Sequence, residues 1–382
     1  MKILYHHRVA SKDGQYVHIE EIITSLRKLG HEVIVCEPKS IQSTQFGKGS
    51  DTVQKMRSLL PGFLHEMAEL LYSLPDYWKI RKLIKQHKPD CIYERYNLYF
   101  LSGIWASRRF NLPLLLEVNA PLFSERSKNE GISLQRLAQW SEDYVWTNAD
   151  HVLPVTEVLA KMIEARGVAR EHMTVIPNGI NKKFAADLPG IEGVNARYAL
   201  EGKLVLGFTG FVREWHRLDR VLRVIAENPD ENWHLFLVGD GPDRPRLEAM
   251  ALDLDISDRL TVTGIIQRQQ MPELVQRFDV ALQPDVVAYA SPLKMFEYMV
   301  LGKPILAPDT DNIREILRDG ENGLLFEQTN ESFNTQLLRL CADDQLRCSI
   351  GLQARLSIDE SGLLWDSNAK KIIGIFQNLA QS

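Results

Sequence analysis

The first forty residues set the pattern of apolar and polar positions. KILYHHR, residues 2–8, is a short apolar run of strand length. ASKDGQ is polar and contains a glycine. Ile19, Ile22, Ile23, Leu26 and Leu29 then recur at spacings of three and four and stop at Gly30, and HEVIVCE is a second apolar run. Recurrence at three and four lays one stripe along a helix, whereas a short continuous run suits a strand buried on both faces. Strand, glycine-containing turn, helix and strand make a βαβ unit. Its strands are parallel because the helix returns the chain to the same end of the sheet.

The pattern continues. Residues 40–88 are less regular and read as helical, ending in the basic stretch WKIRKLIKQHK. DCIYERY, LPLLLEV, DHVLPV and MTVIPNG are further strand candidates separated by helical patterns. Around 184–202 the regularity lapses, which marks a domain junction. A second series follows in KLVLGFTG, WHLFLVGDGP, RLTVTGII, DVALQP, PILAPD and GLLFE, with helices at 218–225, 245–251, 272–278 and 292–301 between them. The C-terminal LLWDSNAKKIIGIFQNLA is amphipathic, carrying Trp365, Ile372, Ile373 and Phe376. The expected fold class is α/β: a doubly wound domain over 1–185, a second over 186–360, and a helix in 361–382 that returns to the N-terminal domain. Two such domains in series place a cleft between the C-terminal edges of their sheets.

A length of 382 residues suits two cores. Net charge is −5, which argues against a nucleic-acid binder. The charge is uneven: residues 1–185 hold 25 Lys and Arg against 20 Asp and Glu, and the rest 20 against 30. Such a split suits different partners for the two halves, or is chance scatter. Cys36, Cys91, Cys341 and Cys348 lack C-x-x-C spacing and read as free thiols. MKILYHH reads as a strand and not a signal peptide, and no apolar run approaches the ~20 residues of a membrane span. The expectation is a cytoplasmic protein, either free or held at the inner face of the membrane.

Candidate chemistry gathers at strand ends of the second series. After the strand at 203–208 come Thr209 and Gly210, where a ligand can approach the backbone, then Arg213, His216 and Arg217, whose charges suit a diphosphate. Gly239, Asp240 and Gly241 follow the next strand; small residues there leave room for a ligand or make an ordinary turn. Gly264 follows the third, where the backbone of Ile265 and Ile266 suits a flat base edge. In YASPLKMFEYMVLGKP, residues 289–304, Ser291 is a good N-cap and Pro292 a good first helical residue. The helix head at Ser291, Pro292 and Leu293 then suits a phosphate. Lys294 in the first turn opposes the helix dipole unless an anion lies in front of it. Leu293, Phe296 and Val300 form the buried stripe. Beside it, Glu297 either pairs with Lys294 or accepts hydrogen bonds from a ribose diol.

Taken together, KILYHHR…DGQ, GHEV, ADHVLPVTEVLAKMI, VIPNGIN, VGDGP, SPLKMFEYMVLGKPILA and EILRDGENGLLFE resemble the GT-B-fold retaining glycosyltransferases of family 4, over residues 1 to about 376. ERY, EVNAP and SPLK resemble the polysaccharide and cell-surface glycan subgroup. The resemblance implies a nucleotide-sugar donor held by the C-terminal domain and a glycan or lipid-linked acceptor held by the N-terminal domain. It implies no further cofactor. Glu297 matches the second glutamate of the family's E-x7-E element, as a ribose ligand; the first glutamate's position is Tyr289. Arg213 and His216 lie near the family's diphosphate-binding Arg and Lys, and Lys294 is expected to supply the charge that His216 lacks. Gly14 and Gln15 match the glycine loop near the diphosphate, and Asn119 stands where many members carry a histidine near the reaction centre. Arg95 and Glu117 are either acceptor contacts or a structural ion pair. No Asp-x-Asp metal signature stands at a suitable strand end, so metal-independent, front-face transfer with retention is expected. The basic stretch at 78–88 suits an anionic membrane or a solvated helix face. The alternatives are a nucleotide-sugar-binding protein without turnover and a GT-B-fold sugar-nucleotide epimerase.

Overall fold

In the computed structural model the described residues are 1–10, 14–38, 61–129 and 131–380. Of the helical reading over 40–88, residues 40–60 lie outside them. The chain forms two compact units. The first comprises residues up to Pro177, Tyr289–Ser291 and the stretch from Trp365 onward; the second comprises Asn178–Ala288 and Pro292–Leu364. The division falls at 177/178, not at 185/186, and the C-terminal helix Trp365–Leu379 packs on α1 of the first unit.

The first unit is built on β1 (Lys2–His6), α1 (Gly14–Lys28), β2 (Glu32–Cys36), α2 (Gly62–Leu71), α3 (Ser73–His87), β3 (Cys91–Arg95), α4 (Ser102–Phe110), β4 (Leu114–Val118), α5 (Leu122–Asn129), α6 (Gln135–Asn148), β5 (His151–Pro154) and α7 (Glu157–Glu164). Its sheet is parallel in the order β2-β1-β3-β4-β5. Ile3, Leu4, Ile92, Leu115 and Leu116 are fully buried, as central strands covered on both faces require. The expected strand at MTVIPNG does not form. Met173 makes one isolated bridge to Val152, and Ile176 N–H donates to Pro154 O. Pro177 then has no N–H to continue the ladder.

The second unit follows with α8 (Glu192–Tyr198), β6 (Leu204–Thr209), α9 (Asp219–Glu227), β7 (Trp233–Val238), α10 (Arg244–Asp253), β8 (Leu260–Val262), α11 (Met271–Gln276), β9 (Val280–Leu282), α12 (Leu293–Val300), β10 (Ile305–Pro308), α13 (Asp311–Arg314), β11 (Leu324–Phe326), α14 (Asn330–Ala342) and α15 (Asp344–Glu360). Its six strands run parallel in the order β11-β10-β9-β6-β7-β8. The order reverses beside β6, so loops after β6 and β9 diverge to opposite faces, the usual place for a ligand in such sheets. Leu206, Phe208, Leu235, Leu237, Val280 and Leu306 form the centre of its core. The four cysteines are free; Cys36, Cys91 and Cys341 are buried and Cys348 is exposed. Among the described residues no helix is long and apolar enough to cross a membrane.

Candidate active site

In the second unit, the end of β6 and the head of α12 are tied together. Tyr298, fully buried on α12, accepts from Thr209 N–H through its hydroxyl (2.9 Å), which also lies 3.2 Å from Thr209 Oγ1. Thr209 is thus a structural anchor at the strand end. Gly210 follows with a positive φ (+127°), a conformation that favours glycine. A Cβ on Gly210 would lie 3.4 Å from Lys294 Nζ, so the ammonium stands directly against this backbone turn.

The helix begins one residue later than expected. Pro292 occupies the cap position in an extended conformation (φ −70°, ψ 118°), and no side chain caps the helix. Pro292 O accepts the first bond of the turn, from Met295 N–H (3.1 Å), so the N–H groups of Leu293 and Lys294 open the helix. Ser291 belongs to the first unit and is not the N-cap. Within the stripe Phe296 and Val300 are buried, while Leu293 is half-buried.

Lys294 Nζ lies 3.7 Å above the Phe208 ring centroid. Burial pushes its pKa down to about 7, against the opposing pull of Glu297. Among the described residues Lys294 has no ion-pair partner. The cation–π contact partly replaces lost hydration.

His216 does not present a charge. It is buried against Phe208 (ring centroids 4.9 Å) and Trp215 (3.8 Å), and its Nδ1 accepts from Arg213 N–H (3.1 Å). Burial, and then the Lys294 charge, lower its pKa to about 2. Its role is to hold the backbone of the turn. Arg213 itself is exposed, its guanidinium 5.1 Å from the Phe211 ring centroid.

Glu297 does not pair with Lys294. Its Oε1 accepts from Arg268 Nη1, and the residue is 7% exposed. Arg268, on the segment after β8, also lies over the Phe184 ring (4.8 Å to its centroid). Sequence reading missed Arg268 because QRQQ looks like a solvated polar run, and nothing in its spacing ties it to residue 297.

The glycines after β7 have a reason other than ligand room. A Cβ on Gly239 (φ +144°) would lie 2.1 Å from Gly210 O, and one on Gly241 would lie 2.1 Å from Val212 O. They let the β6 and β7 loops pack backbone to backbone. Asp240 Oδ1 accepts from Gly241 N–H (2.8 Å), and its carboxylate lies 3.7 Å from Arg244. Thr263 Oγ1 accepts from Gly239 N–H and donates to the carbonyl of Gly264 (φ +72°). Ile266 is half-buried two residues on. Thr209, Gly210, His216, Gly239 and Lys294 are therefore brought together, with Glu297 one turn further along α12.

In the first unit, Gly14 and Gln15 form the first turn of α1 and not the turn before it. Buried Glu117, near the end of β4, is a hub. It accepts from Tyr93 OH (2.7 Å), Arg95 Nη1 and Asn119 Nδ2 (2.5 Å), and lies 3.2 Å from His18 Nε2. Burial pushes its pKa up, but His18 and Arg95 outweigh this and hold it well below the carboxylate range. Arg95 and Glu117 thus form the structural ion pair, and Asn119 is fixed by the same carboxylate. Tyr289 also lies in this unit. Its carbonyl accepts from Thr156 Oγ1 (2.9 Å), and its half-buried ring packs on the core that contains Leu159 and Val118. Burial, then the hydrogen-bonded Glu125 carboxylate, raise its phenol pKa.

A second buried cluster lies at the end of β1. His6 Nε2 donates to Asp76 Oδ2 (2.8 Å) and Nδ1 to Glu94 Oε2 (2.6 Å). Burial opposes the charge, but the two carboxylates raise the His6 pKa well above its ordinary value. The ligand atoms of His6, Cys36 and Asp76 all lie within 4.8 Å of one another. Both ring nitrogens of His6 are already engaged, so the cluster reads as a buried ion triad.

Two parallel doubly wound units define the GT-B class, and the chain's similarities agree. Residues 12–184 match the Glycosyltransferase Family 4 model, and residues 195–357 match the Glycosyl transferases group 1 model. The 2-deoxystreptamine glucosyltransferase of Streptomyces kanamyceticus is 27% identical over 66% of this chain and 67% of its own. The GDP-mannose-dependent alpha-mannosyltransferase of Mycobacterium tuberculosis is 22% identical over 80% and 78%. Anabaena HepE, solved in complex with UDP, superposes with a TM-score of 0.78 at 16% identity, over 99% of this chain and 100% of its own. The chain belongs to the GT-B glycosyltransferases of the family 4 type. Its activity is glycosyl transfer.

Proposed function

We propose that the protein transfers a hexosyl group from a UDP- or GDP-sugar to a hydroxyl of a glycan or lipid-linked acceptor, with retention of configuration, in polysaccharide or glycolipid synthesis. The observation that carries this reading is the unpaired Lys294 ammonium against Gly210 at the head of α12. A half-buried cation with no carboxylate in ion-pair contact is unfavourable for the protein alone and favourable once a diphosphate lies in front of it.

In the proposed reaction the bond between the anomeric carbon and the β-phosphate oxygen breaks, and the diphosphate keeps the electron pair. The acceptor oxygen bonds to the anomeric carbon from the same face, and its proton passes to the departing phosphate oxygen. Charge grows on the β-phosphate, where Lys294, Arg213 and the N–H groups of the helix head stabilise it. Because this neutralisation comes from side chains, the reaction is expected to run without a divalent cation. Glu297 is assigned to the ribose, the backbone at Gly264–Ile266 to the base, and Asn119 to the acceptor side. Incubation with a panel of UDP- and GDP-sugars, with release of nucleoside diphosphate measured in EDTA, tests the reading. Release with at least one donor supports it, and binding without turnover or interconversion of the sugar counts against it.

The acceptor side is proposed to meet the inner face of a membrane. On α2 and α3 the hydrophobic side chains Leu71, Leu74 and Trp78 are 54%, 50% and 58% exposed, and Arg81, Lys82 and Lys85 follow Trp78 on α3. Apolar anchors next to cations suit an anionic lipid surface. Co-sedimentation with anionic vesicles that is weakened by salt supports this contact; no binding at low salt removes it.

A further inference from the structure

Arg268 is the residue of the second unit whose placement the donor reading does not explain. It sits two positions beyond Ile266, on the segment assigned to the base. Its Nη1 donates to Glu297, the carboxylate assigned to the ribose. Its side chain is 27% exposed, and its guanidinium carbon lies 4.8 Å from the Phe184 ring centroid. Among the described residues its Nε and Nη2 make no hydrogen bond. A guanidinium carries five donors in one rigid plane. Here one arm is spent on Glu297, and the others remain at the joint between the ribose and base positions.

We propose that Arg268 is a base-reading residue: it orients Glu297 with one arm and donates from its free arms to a carbonyl oxygen of the nucleobase. This deepens the donor reading above and rests on it. Its chemical consequence is selectivity. Uracil and guanine present carbonyl oxygens, O4 or O2 and O6, that accept from Arg268. Adenine presents at that edge an N6 amino donor, which a guanidinium cannot accept from. The site therefore takes keto-base nucleoside diphosphates and rejects the adenine one. A simple surface ion pair gives no such discrimination, because the ribose that Glu297 would hold is common to all three.

The test is titration calorimetry of UDP, GDP and ADP against the full chain and against Arg268→Ala and Arg268→Lys, with each variant's melting temperature recorded. The native protein is expected to bind UDP or GDP at least about tenfold more tightly than ADP. Arg268→Ala is expected to weaken UDP or GDP by about tenfold more than it weakens ADP, which loses only the support to Glu297, so that the preference disappears. Arg268→Lys keeps the charge but loses the planar fork, and is expected to recover less than half of the lost discrimination on a logarithmic scale. Equal weakening of all three ligands by Arg268→Ala would reduce Arg268 to a support for Glu297 and overturn the inference. So would an unchanged preference, or none in the native protein. In those cases the donor site itself stands. If none of the three nucleotides binds the native protein, the donor reading falls and the inference with it.

Discussion

The Lys294 ammonium lies 3.7 Å above the centroid of Phe208, at the point where β6 ends and α12 begins. The aromatic face and the half-buried surroundings reduce the hydration of the charge, and among the described residues no carboxylate lies in ion-pair contact with it. Its pKa near 7 therefore belongs to a site that is costly to charge when empty of anion.

The sign of the resulting stability effect follows from linkage. The folded pKa lies below the unfolded one, so the penalty for the charged form is fully present below about pH 7. It is relieved as pH rises from about 7 toward the ordinary lysine value. Lys294→Met removes the charge and keeps the stem. At pH 6.5 to 7 it is expected to raise the melting temperature by about 1–2 °C, corresponding to about 1 kcal/mol in a chain of this size. Thermal scans of both proteins at pH 6.5 and 9 check this; the gain should shrink at pH 9.

Anion binding should restore the proton to Lys294. Calorimetry at pH 8 in buffers of different ionisation enthalpy is expected to show uptake of a fraction of a proton on binding UDP or GDP. Glu297, Arg268, Arg213 and His216 surround the site, but His216 is held neutral by burial and contributes no step between pH 5 and 8. Lys294→Met should abolish the uptake.

Tyr289 stands where a family glutamate is expected, and it lies in the first unit, hydrogen-bonded to Glu125. Tyr289→Glu would set two carboxylates side by side in a half-buried position. It is expected to destabilise by about 1–3 kcal/mol near neutral pH, measured by urea denaturation, with partial recovery at pH 5. Tyr289→Phe loses only the hydrogen bond and should cost about 1 kcal/mol.

The triad of His6, Asp76 and Glu94 is stabilising only as a set. Replacing His6 by Ala leaves two buried carboxylates without their cation. A loss of about 3–5 kcal/mol is expected, or failure to fold, by denaturant melt and circular dichroism.

Much of the fold was legible because its strands are short buried runs bounded by glycine or proline. DHVLPV and PILAPD need no tertiary knowledge to read. MTVIPNG was over-read, because an apolar run does not reveal where Pro177 ends the ladder. At the site, Lys294 was legible from its conflict with the helix dipole. The partner of Glu297 was not: Arg268 is remote in sequence, and only the fold brings it near. Gly239 and Gly241 were legible as special residues, but their cause, contact with the β6 loop, is a feature of packing. His216 showed the reverse problem. Its residue type suggested a cation, and burial made it a neutral acceptor for a backbone N–H.

The central claim is that Lys294 at the head of α12 holds the donor diphosphate. Titration of UDP and GDP into the native protein and Lys294→Met at pH 7 tests it most directly. The expected result is binding of at least one nucleotide by the native protein, weakened by about tenfold or more in a variant that remains folded. Equal affinity of the two proteins would contradict it.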